Sequence, residues 1–310
     1  NQQRTHGQYG RGYDPTALQF GRFGGLISRP DEGFCAPMAR ILAISSYVAY
    51  GHVGLAAVVP ALQALGHQVI SLPTVVLSNH YGYKHVGGSR VPIESFLEIT
   101  EGLEANGWLN NVDGVITGYL PDTDFVGAVR DRIVQLRRNN DQLVYLCDPV
   151  IGDDPKGLYV AQELAEAIRK ELLAISDIVT PNRFELGWLT GEDVDQPEQA
   201  AAAAQGRGQA LFVATSVPAG KGLLANVICD ETVERAVTRR YDAVPHGTGD
   251  LFAALLLGHL LAGRTTTEAM ARATAGVLVV IEASLGAEEL NLIETITRAV
   301  AVEPAAVARA

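Results

Sequence analysis

The sequence predicts an α/β protein built on a mostly parallel sheet, and three observations carry the prediction. From residue 38 onward, short β-branched or apolar runs alternate with longer segments of helical period. Hydrophobic residues make up 47% and charged residues 19% of the chain, the balance of a folded globular protein rather than a disordered or collagenous one. A length of 310 residues suffices to bury a large core, as one big α/β domain or two smaller ones.

The elements follow in order. Ile41 to Ser45 is the first strand, and Gly54 to Leu65 is a helix that Gly66 stops. Gln68 to Leu72 is the second strand, followed by a helix from Pro92 to Asn106 that ends at Gly107. Gly114 to Thr117 and Leu143 to Cys147 are strands flanking the helix Thr123 to Asn139. Helix Ala161 to Leu173 leads to strand Asp177 to Thr180, and helix Gln196 to Gln205, stopped by Gly206, leads to strand Ala210 to Ala214. An antiparallel pair spans Leu223 to Tyr241, beginning with strand Leu223 to Cys229. Three helices close the chain, Asp250 to Leu261, Thr266 to Ser284 and Glu288 to Val302. This span shows no linker and no internal repeat.

Charge and composition exclude several function classes. Lys+Arg 24 against Asp+Glu 35 leaves a net charge of -11, the wrong sign for a general nucleic-acid or anionic-membrane binder. The most apolar stretch, Leu251 to Ala262, falls short of the roughly 20 residues of a membrane span and carries His259. Cys35, Cys147 and Cys229 form no CxxC pair and have no histidine at metal-ligand spacing, which points to a reducing, cytoplasmic setting. Residues 1–37 lack periodicity and an apolar signal region, so they are expected to be a solvated extension ahead of Met38 and of one domain over 38–310.

In an open parallel sheet, ligands sit beyond the carboxyl ends of the strands, and here those ends are polar. Ser45-Ser46 follows the first strand, Thr74 and Ser78-Asn79-His80 the second, Thr117-Gly118-Tyr119 the third, Asp148-Pro149 the fourth, Pro181-Asn182 the fifth and Thr215-Ser216 the sixth. The sharpest local signal is Gly247-Thr248-Gly249-Asp250 running into an apolar helix. Two glycines let the backbone aim successive N–H groups at one point, and the helix adds its positive end, an arrangement suited to phosphate. Asp250 beside a bound phosphate makes sense as the base for an incoming hydroxyl; the same residues also fit a carboxylate capping a helix after a glycine turn. Asn182 and Glu185, three apart at a helix start, suit a water-mediated Mg²⁺ site or equally a capping box. Asp148 adds a hard oxygen ligand, or forms a turn. Gly220-Lys221 lacks the rest of a Walker loop, no GxGxxG follows the first strand, and Ser46 has no nucleophile elbow. His52, His67, His80, His85 and His259 show no metal-ligand pairing, while His246 stands beside the glycine turn.

In order and spacing these motifs resemble the ribokinase-like superfamily, and within it the pyridoxal kinases. The resemblance rests on the segments Ile44 to Gly54, Ser78 to Tyr83, Thr117-Gly118-Tyr119, Cys147 to Gly152, Thr180 to Glu185 and Gly247 to Ala254, and spans residues 40 to 300. It implies a three-layer α/β/α fold and ATP-dependent phosphorylation of the 5′-hydroxymethyl group of pyridoxal, pyridoxine and pyridoxamine. It further implies Asp250 as the catalytic base and Gly247, Thr248 and Gly249 as the anion hole. Ser46, Val53, Thr74 and Tyr119 would contact the pyridine; Asp148, Asn182 and Thr215 would bind ATP; Asp148 and Glu185 would serve the metal. ATP and Mg²⁺ are the implied cofactors, with K⁺ an additional candidate, and a homodimer the implied assembly. The Asp153 to Gly157 loop matches the segment that closes over ATP. Tyr47, Leu55 and His246 depart from the family pattern, which usually has histidine, asparagine and a small or apolar residue there. The connection Gly206-Arg207-Gly208 looks short for the family. The alternatives are a hydroxymethylpyrimidine kinase of the same superfamily, whose anion-hole motif usually ends in Cys where this chain has Asp250, and a catalytically silent vitamin B6 binder.

Overall fold

The computed structural model describes residues 38–205, 210–229 and 233–309. The expected extension over 1–37 with Cys35, and the Gly206-Arg207-Gly208 connection, lie outside the described residues. In chain order the elements are β1 (Arg40–Val48), α1 (Leu55–Ala64), β2 (Gln68–Leu77), β3 (Gly88–Arg90), α2 (Ile93–Ala105), β4 (Gly114–Thr117), α3 (Thr123–Asn139), β5 (Val144–Cys147), β6 (Gly152–Asp153), β7 (Gly157–Leu158) and α4 (Gln162–Ala167). They continue with β8 (Ile178–Val179), α5 (Arg183–Thr190), α6 (Pro197–Ala204), β9 (Leu211–Pro218), β10 (Leu223–Cys229), β11 (Val233–Arg239), α7 (Thr248–Leu261), α8 (Thr266–Ala283), α9 (Leu292–Ala301) and β12 (Val307–Arg309). The main sheet runs β12-β11-β10-β9-β8-β5-β4-β1-β2-β3. Its middle, from β2 to β9, is parallel, and both edges are antiparallel.

Alternation along β1 sorts the core into two layers. Ile41 and Ala43 face the helices α1, α7, α8 and α9, whereas Leu42 and Ile44 face α2, α3 and α4. A smaller cluster joins β9 and β10 to α5 and α6. The arrangement is the expected three-layer α/β/α sandwich. The apolar run after Asp250 is α7, buried at every residue from Leu251 to Leu260. No helix among the described residues is long and apolar enough to cross a membrane.

Three boundaries differ from expectation for identifiable reasons. The second strand does not stop at Leu72: Pro73 cannot donate to the ladder, and the sheet absorbs it with a register shift in which Thr74 and Val75 both oppose Ser46. Thr74 is therefore inside β2 and fully buried. The last helix starts at Leu292 rather than Glu288, because Asn291 is tied to the end of α8, its amide N–H donating to Ser284 Oγ (2.9 Å) and its side chain to the Ala283 carbonyl (2.7 Å). The Ala161 to Leu173 segment is helical but widens after α4 into a π turn over Ile168–Leu172 and a 3₁₀ turn over Leu173–Ile175.

Candidate active site

From β1 the chain goes outward to β2 on one side and returns to β4 on the other, so connections diverge between β1 and β4. Such a switch point leaves a crevice above the carboxyl strand ends. The crevice floor holds a cavity of about 10 Å³, room for about one water, lined among others by Ser45, Thr117, Asp148 and Asp250.

Ser46 sits at the register shift, where a bulge turns the strand. Its neighbour Ser45 is buried and accepts a hydrogen bond from the Tyr119 amide (3.1 Å). Val53 and Tyr119 pack on one apolar cluster with Val48, Val75 and Leu77, forming a wall beside Ser46. Thr74 is fully buried, and its hydroxyl donates to the Tyr119 carbonyl (2.8 Å), which ties β2 to that wall.

Across the crevice, Gly247 opens α7 with φ 102°, and a Cβ there would fall 1.9 Å from the His52 carbonyl oxygen. Only glycine fits this close approach. The turn leaves the first α7 amides, from Thr248 and Gly249, at a helix N-terminus facing the site. Asp250 follows in the first turn, and burial pushes its carboxyl up to about 6, with the Gly54 amide offsetting part of the shift.

On the β5 and β8 side, the capping-box reading of Asn182 and Glu185 is realised. Asn182 Oδ1 accepts from the Glu185 amide (2.9 Å) and Glu185 Oε2 accepts from the Asn182 amide (3.0 Å), a complete capping box on α5. Glu185 Oε1 also accepts from the Ile151 amide (2.8 Å), which anchors the loop after β5. Burial raises Glu185 to about 7 against the pull of these amides. Asp148 is buried, takes a hydrogen bond from Thr180 Oγ1 (3.2 Å), and is pushed well up by burial and by the charges of Glu185 and Asp250. Thr215 bridges to Asn182 as a parallel pair, its amide donating to the Pro181 carbonyl (2.9 Å). Thr215, Asn182, Glu185 and Asp148 thus share one side of the crevice.

The Asp153 to Gly157 segment is the hairpin of β6 and β7. Arg183 holds it, pairing with Asp154 (2.6 Å) and with Asp195 (2.8 Å).

A family described as phosphomethylpyrimidine kinase matches residues 52–292. The chain belongs to that family. Within it, the chain is similar to a pyridoxal kinase of Corynebacterium diphtheriae, 35% identical over 267 residues covering 83% of this chain and 94% of that protein. Human pyridoxal kinase is 34% identical over 70% of this chain and 76% of its own length. The pyridoxal kinase of Leishmania donovani, solved with ADP and pyridoxamine, superposes with a TM-score of 0.82 at 30% identity, covering 87% of this chain and 99% of that one. The fold is the ribokinase-like one of these pyridoxal and phosphomethylpyrimidine kinase structures.

Asp148 and Glu185 are the pair whose chemistry fits a divalent cation: the charges of Glu185 and Asp250 add to burial in opposing the ionisation of Asp148, a cost that a cation would relieve. Among the described residues no three potential ligands converge into a ready-made cage. That suits Mg²⁺, which usually takes one or two carboxylates and completes its shell with phosphates and waters.

Two groups beside the site escaped the sequence reading. Tyr159, just past β7, has its pKa raised by burial and by the charges of Glu185, Asp148, Asp250 and Asp153, although part of its surface meets solvent. The aromatic after the Gly157-Leu158 pair was its one available signal. Glu289, in the turn before α9, accepts from the His52 amide (3.2 Å) and from Tyr83 Oη (2.7 Å), and lies 3.2 Å from His80 Nε2. Nothing local in Glu288-Glu289 distinguishes it from an acidic helix start. The departures also have places: Tyr47 is exposed, Leu55 is buried in the first turn of α1, and the His246 ring lies 4.6 Å from that of His80.

Proposed function

We infer that the chain transfers the γ-phosphoryl group of ATP to the 5′-hydroxymethyl group of pyridoxal, pyridoxine and pyridoxamine, giving pyridoxal 5′-phosphate and its analogues. The observation that carries this reading is Asp250, half-buried at the glycine-initiated end of α7 and lining the cavity with Ser45, Thr117 and Asp148. The pyridine lies between Val53 and Tyr119, which pack on it, and Ser46 and Thr74, which hydrogen-bond its polar edges. Asp250 accepts the hydroxyl proton, and a carboxyl near 6 is ionised at neutral pH yet basic enough to take it. The oxygen attacks the γ-phosphorus as the bond to the ADP oxygen breaks, and the amides of Gly247, Thr248 and Gly249 meet the charge on the transferred group. Asp148, Asn182 and Thr215 hold ATP, and Asp148 and Glu185 hold Mg²⁺ and its waters. The ion supplies neutralisation of phosphate charge when bound. Closure of the β6–β7 hairpin over ATP excludes water and so suppresses hydrolysis. K⁺ as a further ion and a homodimer belong to the same reading, as does a cytoplasmic location; buried, unpaired Cys147 and Cys229 support the last.

The test is ATP-dependent conversion of pyridoxal by the purified chain, with hydroxymethylpyrimidine in parallel. Asp250 in place of the cysteine usual in hydroxymethylpyrimidine kinases predicts preferential pyridoxal turnover. Preference for the pyrimidine would reverse the assignment, and pyridoxal binding without turnover would make the chain a B6 binder.

A further inference from the structure

We propose that Glu289 is the positioning residue that locks the pyridoxal-side wall of the site to the anion hole. The proposal rests on the functional reading above. Its carboxylate is nearly enclosed, at 11% side-chain exposure, and collects donors from two loops far away in sequence. Oε2 receives the His52 amide at 3.2 Å, while Oε1 receives Tyr83 Oη at 2.7 Å and lies 3.2 Å from His80 Nε2. The chain crosses so tightly over the carboxylate at Gly51 that a Cβ there would lie 2.5 Å from Oε2.

His52 is thereby gripped at both ends of its residue. Its N–H is held by Glu289, and its carbonyl abuts Gly247, where a Cβ would approach to 1.9 Å. The adjoining Leu290 side chain lies 3.2 Å from that same point. Val53, the next residue, belongs to the apolar wall with Tyr119. On the other arm, His80 packs against Tyr83 (ring centroids 4.8 Å apart) and against His246 (4.6 Å), the residue before Gly247. The carboxylate therefore ties three segments together: Gly51 to Val53, His80 to Tyr83, and His246-Gly247. None of Asp148, Asn182, Glu185 and Thr215 is among its partners, so its removal loosens the pyridoxal wall and the turn at Gly247 while the residues that hold ATP keep their contacts.

The test compares the full chain with Glu289→Gln, Glu289→Ala and Tyr83→Phe, measuring equilibrium binding of pyridoxal and of ATP separately, with the unfolding midpoint as a check on folding. Loss of the charged acceptor is expected to weaken pyridoxal binding about tenfold in Glu289→Ala, with ATP binding within about twofold of wild type. Glu289→Gln keeps one acceptor oxygen and the shape, and should recover part of the loss. Tyr83→Phe removes one donor and leaves the carboxylate, so it decides the matter if the alanine variant fails to fold; about threefold weaker pyridoxal binding is expected. Equal pyridoxal affinity in the folded variants, or parallel loss of pyridoxal and ATP affinity, overturns the assignment. If wild type itself neither binds nor phosphorylates pyridoxal, the functional reading falls and takes the assignment with it; wild-type turnover with unaffected variants removes only Glu289.

Discussion

Replacing Asp250 by asparagine separates two properties that the structure couples, the reactivity of the carboxylate and the strain its ionisation places on the fold. Burial raises the acid from its ordinary 3.8 to about 6. At about 1.4 kcal/mol per pH unit this gap corresponds to about 3 kcal/mol, an upper figure because the residue is only half-buried. The folded pKa lies above the unfolded one, so the destabilisation is absent below pH 3.8, grows between 3.8 and about 6, and is complete above that. Asp250→Asn carries no charge at any of these values. It should match wild type near pH 4 and exceed it by up to about 3 kcal/mol near pH 8, a rise in unfolding temperature of roughly 5 °C. Turnover should fall by about 10² to 10⁴, with pyridoxal binding largely kept. Thermal unfolding across this pH range, alongside an ADP-release assay, measures both quantities. A stability difference that ignores pH, or turnover within about tenfold of wild type, refutes the reasoning.

Other perturbations probe the remaining parts of the site. The value of kcat/KM for pyridoxal should decline about tenfold per pH unit below the Asp250 pKa of about 6, and a profile flat to about pH 4 would exclude it as the base. With Glu185 near 7, protons compete with Mg²⁺, so the Mg²⁺ concentration for half-maximal activity should climb as pH falls from about 8 to about 6. Glu185→Gln should raise that requirement about tenfold at the upper pH and flatten its pH dependence. Arg183→Ala releases the β6–β7 hairpin from Asp154 and should increase the KM for ATP about threefold while changing stability by less than about 1 kcal/mol, since both partners are partly exposed; an unchanged KM would leave the pair without a role in closure.

The sheet and its helices were legible in the sequence because their periodicity is strong: β1, β4, β5 and the β10–β11 pair lie where the apolar runs placed them. The glycine turn before Asp250 was legible for a different reason, since a backbone held in the left-handed region against the His52 carbonyl needs glycine at 247. Thr74 was misplaced because a proline ordinarily ends a strand, and whether a neighbouring strand can absorb it depends on the register of β1, which no local pattern encodes. Asn182 and Glu185 left two readings open because one spacing serves both, and the capping box is the one their hydrogen bonds display. Glu289 was invisible because its partners are His52, His80 and Tyr83, more than 200 positions away, so its meaning comes from topology alone.

The burial of α7 from Leu251 to Leu260 bears on how quickly different parts of the molecule sample open states. A helix enclosed from Leu251 to Leu260 has little freedom to fray there, so deuterium uptake at those amides should proceed only through global unfolding, in contrast to the hairpin over Asp153 to Gly157. The Gly247 turn is fastened to this buried stretch of α7. Ligand entry must then be accommodated by the peripheral loops, and a core mutation beneath α7 would register first as a change in turnover, before any shift in average structure.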